Sequence, residues 1–109
     1  MNESGVSQLR DILKALEVKD TDSAAAILLG LVLDDADGRR ACEVVYSCLV
    51  GELDEQIKVL AVRCVGHLAR IHGEVPSILL KVINGLKSDP LYRGAVEDAL
   101  DDVSRFTHL

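Results

Sequence analysis

Tryptophan is absent from this 109-residue chain, and two tyrosines and one phenylalanine are its only aromatic residues. Base stacking on interleaved aromatics is therefore not available to it as a binding device. Proline occurs only twice, at Pro76 and Pro90, so most helix ends must be set by aspartate, serine, threonine or glycine. The longest apolar run, Ala24 to Leu33, falls well short of the roughly 20 residues that span a bilayer. No basic stretch precedes it, so neither a membrane segment nor a secretory leader is expected. The cysteines are three, an odd number, and Cys42, Cys48 and Cys64 each fall inside an apolar helical pattern. Buried free thiols in a reducing cytoplasm follow from that placement. Basic residues are in the minority, 12 against 18 acids, for a net charge of −6. That balance disfavours direct nucleic-acid binding, which relies on Lys and Arg at phosphates, and suits a basic protein partner.

What the chain does have is helical periodicity. It is 49% hydrophobic, and the apolar residues are mainly small and aliphatic. One domain covering residues 1–109 is expected, large enough for a core without disulfides or metal. The last third is the most regular. Val75, Ile78, Leu79, Val82, Ile83 and Leu86 recur at helical spacing after Pro76, and Asp89-Pro90 starts a second helix. Tyr92, Ala95, Val96, Ala99, Leu100, Val103 and Phe106 form that helix's apolar face. Such a hairpin cannot bury its own core and needs neighbours of the same kind.

Four earlier helices supply them. The first places Val6, Leu9, Ile12, Leu13 and Leu16 on one face. The second, capped by Thr21, Asp22 or Ser23, runs to about Leu33, is apolar nearly all round and is expected between neighbours. Gly30 inside it costs about 1 kcal/mol relative to Ala, and a close helix approach is its expected reason. The third spans Arg39 to Val50, facing inward with Ala41, Val45, Cys48 and Leu49 and stopped by Gly51. The fourth runs from about Asp54 to His72 and ends at Gly73. Its apolar face (Ile57, Leu60, Ala61, Cys64, Leu68 and Ile71) leaves a narrow polar stripe of Arg63, His67, Arg70 and Glu74.

The pieces repeat. Ile78-Leu79-Leu80, Asp89, Arg93 and Ala99-Leu100 follow the cadence of Ile27-Leu28-Leu29, Asp35, Arg40 and Val44-Val45. Val62-Arg63 followed by Gly66 and Ala69 has a similar rhythm. This pattern resembles HEAT-like α-helical repeats, from about Leu53 to Val103, with Asp54 to Arg63 longer than the usual spacing. The resemblance implies an all-α fold, a short right-handed stack of about three antiparallel helix hairpins, the minimum for a stable solenoid.

In such a stack the turns line one edge and the second helices line the concave face. Glu17, Asp20 and Asp22, then Glu52, Asp54 and Glu55, then Asp89 would meet along the edge. On the last helix Glu97 and Asp101 are one turn apart, as are Asp98 and Asp102. Only Arg93 and Arg105 interrupt that carboxylate strip, at its ends. It reads either as a solvated helix face or as a docking surface for a basic partner. Arg63 is expected to pair with carboxylates inside the stack; the stripe Arg63, His67 and Arg70 could otherwise meet an acidic group.

The run from Arg63 to His72 and the ending from Glu97 to Val103 also resemble immunity proteins of bacterial contact-dependent growth inhibition and related polymorphic toxin systems. That resemblance covers the last half of the chain. It implies a cytoplasmic protein, a monomer within a heterodimeric complex, that blocks the active or substrate-binding site of a cognate toxin domain, often a basic nuclease. The alternative is a generic HEAT-like scaffold that holds other proteins. Neither is an enzyme. No cofactor or metal is expected, because Cys64 and His67 point about 60° apart on their helix and no second zinc-spaced pair exists. His108 falls in the C-terminal tail.

Overall fold

Among the described residues, aspartate caps and glycine stops help to mark off six helices. The computed structural model describes residues 3–107, so His108 lies outside the described residues. The elements are α1 (Glu3–Glu17), α2 (Thr21–Asp34), α3 (Arg39–Val50), α4 (Glu55–His72), α5 (Ser77–Gly85) and α6 (Pro90–Phe106), with no strand among the described residues. The boundaries follow local chemistry. Asp54 accepts hydrogen bonds from the Gln56 and Ile57 amides at 2.8 and 3.3 Å, satisfying two of the free donors at the start of α4. Asp89 accepts from the Leu91 amide at 3.0 Å, and Pro90 occupies the first helical position, where no donor is needed.

The first two helices are joined differently from the expectation. Asp20, and not Thr21, Asp22 or Ser23, caps α2: it accepts from the Ser23 amide at 3.1 Å and from the Ser23 hydroxyl at 2.6 Å. Those two bonds, the hydroxyl's first, hold the Asp20 carboxyl below its usual range. Asp20 also closes α1, its amide reaching Ala15 O while the Lys19 amide reaches Leu16 O. This paired pattern needs a left-handed residue at Lys19, whose φ is +59°. The acidic turn after α2 likewise has a structural use. Asp37 accepts from the Arg39 amide at 2.9 Å and Asp35 from the Ala41 amide at 3.0 Å, so both carboxylates serve the start of α3.

Packing centres on α4. Ile57, Ala61, Val62, Cys64, Val65, Gly66, Leu68 and Ala69 are buried along it, and it touches α2, α3, α5 and α6. Its most extensive contact is with α6, where Tyr92, Ala95, Val96, Ala99 and Val103 are buried. Helix α1 touches α3 and α3 touches α5; α2 touches α4 and α4 touches α6. Consecutive helices also touch throughout, α4 with α5 and α5 with α6 only narrowly.

Small residues decide how closely α4 and α6 approach. A Cβ on Gly66 would lie 3.3 Å from the Ala99 Cα and 2.7 Å from an Asp102 carboxylate oxygen. Gly30, by contrast, has nothing within 4 Å of a Cβ added there, so the close approach expected at that position does not exist. Nor is α2 enclosed: it buries Ala24, Leu28, Leu31 and Val32 while Leu33 and Ala26 are exposed. It belongs to the first pair of helices and has no further helix on its outer side. Ile71, Ile78 and Phe106 follow their apolar periodicities yet are also exposed.

The two glycines give opposite tests. Gly30→Ala should stabilise the fold by about 0.5–1 kcal/mol, because the gain in helix propensity meets no obstacle. Gly66→Ala carries the same gain but must displace Asp102 and crowd the Ala99 backbone, so it should give no gain or a loss of about 1 kcal/mol. Thermal and urea unfolding of the two variants measure this; equal stabilisation by both would contradict the close contact.

Candidate functional site

The polar stripe of α4 and the carboxylates of α6 come together along one seam. Arg63, His67 and Arg70 recur at three- and four-residue intervals, so they project from one side of α4. Gly66 beneath them lets α6 approach until its acids are within reach. Arg63 Nη1 lies 3.3 Å from Asp98 Oδ2, and Arg70 Nε lies 3.7 Å from Asp102 Oδ2. Asp101 pairs along its own helix with Arg105 at 3.4 Å. Glu97 is exposed on the same helix.

The four carboxylates therefore do not form one uncompensated strip. The sequence places only Arg93 and Arg105 near them; folding brings Arg63 and Arg70 across from α4. Arg63 pairs within the fold, as its pattern suggested. Arg93 is turned to a backbone duty, its Nε donating to Lys87 O at 3.4 Å across the α5–α6 turn. Pairs this exposed contribute at most about 1 kcal/mol each. Their main effect is on charge: three guanidinium groups mask much of the field of Asp98, Asp101 and Asp102.

His67 sits between the two cross-helix pairs. Arg70 Nη2 donates to its Nδ1, an arrangement that needs an unprotonated nitrogen. Partial burial, then the charges of Arg70 and Arg63, lower its pKa below the ordinary value of 6.5, while Asp102 opposes them.

The second group, Glu52, Asp54 and Glu55, lies at the α3–α4 turn and at the start of α4. Asp54 is the cap of α4, and Glu55 occupies its first turn, where a negative charge complements the helix dipole. Glu52 and Asp54 meet Glu17, Lys19 and Thr21 of the α1–α2 turn around a surface cavity of about 640 Å³. Its apolar lining is Leu13, Leu16 and Leu53. Burial first, and then Glu55 and Asp89, raise the pKa of the Tyr92 phenol, and Lys58 Nζ lies 5.6 Å from the Tyr92 ring centroid. The α1–α2 and α3–α4 turns thus border one cavity. The apolar cavity was not evident beforehand, because Leu13 and Leu16 carry the same helical periodicity whether they end in the core or at its rim.

The thiols are of the inert kind. Cys48 and Cys64 are buried, Cys42 is half-buried, and all three are free. Burial pushes Cys48 up to about 11 and Cys64 up to about 12. Cys64 and His67 occupy different faces of α4, one buried and one at the polar seam. Among the described residues no group of three His, Cys, Asp or Glu side chains is placed to hold a metal ion. No helix among them is long and apolar enough to cross a membrane. Comparison with family models, with curated proteins and with solved structures finds no match to this chain.

The seam makes a pH-dependent prediction. Above about pH 6.5 His67 is neutral in folded and unfolded chains alike. Below it the unfolded chain takes up the proton first, so this residue's contribution to stability falls with pH until the folded-state ring titrates. By NMR the His67 C2–H should titrate below 6.5, moving upward in Arg70→Met and further down in Asp102→Asn. A midpoint at or above 6.5 in the unsubstituted protein would contradict the seam's electrostatics.

Proposed function

We propose that the chain is a short HEAT-like stack of three hairpins, α1–α2, α3–α4 and α5–α6, that works by binding a basic protein domain. The succession of contacts α1–α3–α5 and α2–α4–α6 supports the stack, since hairpins stacked in register give two such layers. The more specific reading is an immunity protein of the cytoplasm that occludes the active or substrate-binding site of a cognate toxin domain. It functions by contact and without catalysis.

The observation that carries this reading is the turn edge. Tight association needs charge for encounter and an apolar anchor for residence. Charge comes from Glu17, Glu52, Asp54 and Glu55, and an anchor site from the cavity over Leu13, Leu16 and Leu53. Of the acids first singled out, those of the turn edge and Glu97 suit a basic partner better than Asp98, Asp101 and Asp102, which already face arginines. Arg63 and Arg70 then act mainly to offset the charge of α6, with His67 between them.

The test is capture followed by growth. The tagged protein should retain, from the cell that makes it, a partner with a basic domain that arrests growth when expressed alone. Co-expression of the chain should restore growth. Glu52→Lys with Glu55→Lys should slow association by roughly tenfold at low salt, and by less at high salt. Leu53→Asp should instead speed dissociation. A captured domain whose expression is harmless with or without the chain would contradict the immunity reading. Full affinity in the charge-reversed variant would contradict the turn edge.

A further inference from the structure

A second recess lies away from both groups of acids, between α3 and α5 at the end of α4. It is an open groove of about 630 Å³ whose lining includes Tyr46, Val75, Ile78 and Leu79, with Asp37 and Glu74 among its acids. Leu79 is fully buried and Val75 nearly so, while Ile78 is 47% exposed. An apolar floor with an exposed aliphatic wall is thus open to solvent. The size suits a single large side chain with its neighbours, within the roughly 300–1,000 Å³ of ordinary ligand pockets.

The charge at this groove has one dominant sign. Cys42, which lines it, has its thiol pushed up to about 11, by burial first and then by Asp35, Asp37, Glu43 and Glu74. The acids lining the groove are Asp37, Glu43 and Glu74. Arg39 is the one Lys or Arg among the lining residues. The ring of His72 closes the inner end against Gly38, where a Cβ would lie 2.7 Å from Cδ2 and Nε2. Gly38 also has φ +76°, so this wall depends on glycine twice over.

We propose that the α3–α5 groove is a docking site for a partner segment carrying one apolar side chain flanked by Lys or Arg. The apolar side chain rests on Leu79 and Val75 beside Ile78, and Asp37 and Glu74 receive the flanking cations. This rests on the reading that the chain binds a basic protein, and it gives that partner a second point of attachment, between α3 and α5. Two attachments on one rigid body convert modest single affinities into a tight complex.

The probe is an acetylated, amidated Lys-Lys-Leu-Lys-Lys peptide titrated into the full-length ¹⁵N-labelled protein. Saturable shifts should centre on the amides of Gly38, Cys42, Ser47 and Ile78. Glu74→Lys and Ile78→Lys, both at exposed positions, should each weaken binding by about fivefold or more, a charge reversal and a lost apolar contact respectively. Glu-Glu-Leu-Glu-Glu should give no saturable shifts. Binding of the two peptides with equal affinity, shifts confined to Leu13, Leu16 and Leu53 or to Glu97–Asp102, or no shifts at all would overturn the groove. Those outcomes leave partner binding to the growth test, which decides it separately.

Discussion

Everything else in this molecule depends on how closely α6 lies on α4. Gly66 has no side chain, and the space a Cβ would take is filled by Ala99 and by the Asp102 carboxylate. Small residues are buried on both helices, Ala61, Gly66 and Ala69 on one and Ala95 and Ala99 on the other. Close approach exchanges side-chain bulk for dispersion contacts between the helices themselves. It also determines which charges meet, since Arg63 and Arg70 reach Asp98 and Asp102 only because the helix axes are near. A core with so few aromatic residues is consistent with this design, because flat layers of Val, Leu, Ile and Ala let helices lie close.

The seam has a consequence for the rest of the surface. Arginines drawn into cross-helix pairs neutralise part of α6, and the acidic excess is left at the α1–α2 and α3–α4 turns and at the α3–α5 groove. Each of those places has apolar lining exposed beside carboxylates. The α4–α6 face is ion-paired, with fewer reasons to attract a basic partner. In the proposed stack, the close packing of α6 on α4 holds the hairpins together, while recognition falls to the edge and the groove, where acids outnumber bases.

Much of the architecture was legible from local chemistry. The third helix is legible at about its observed bounds, Arg39–Val50, and Gly73, Asp89 and Pro90 are legible as punctuation because each acts within a few residues of itself. What could not be read was the relation between distant residues. Gly30 and Gly66 have the same helical setting in sequence, but only Gly66 has a backbone above it. The acids at Glu97, Asp98, Asp101 and Asp102 looked uncompensated because Arg63 lies 35 positions before Asp98 in the chain. Asp20 was passed over as a cap since its neighbours Thr21, Asp22 and Ser23 have equally suitable oxygens, and the geometry that separates them arises at Lys19. Ile71, Ile78 and Phe106 obey helical periodicity yet face solvent, because no further helix covers them.

Helix α4 is the element on which α2, α3, α5 and α6 are assembled, and native-state hydrogen exchange tests that most directly. Amides of Ala61 to Ala69 in α4 should be the slowest to exchange, opening only with global unfolding, and those of Ala95 to Ala99 in α6 should open with them. Helix α5, the shortest of the six and with only narrow contacts on α4 and α6, should exchange faster. If α4 instead exchanged as fast as α5, or opened separately from α6, the close α4–α6 contact could not be what holds the molecule together.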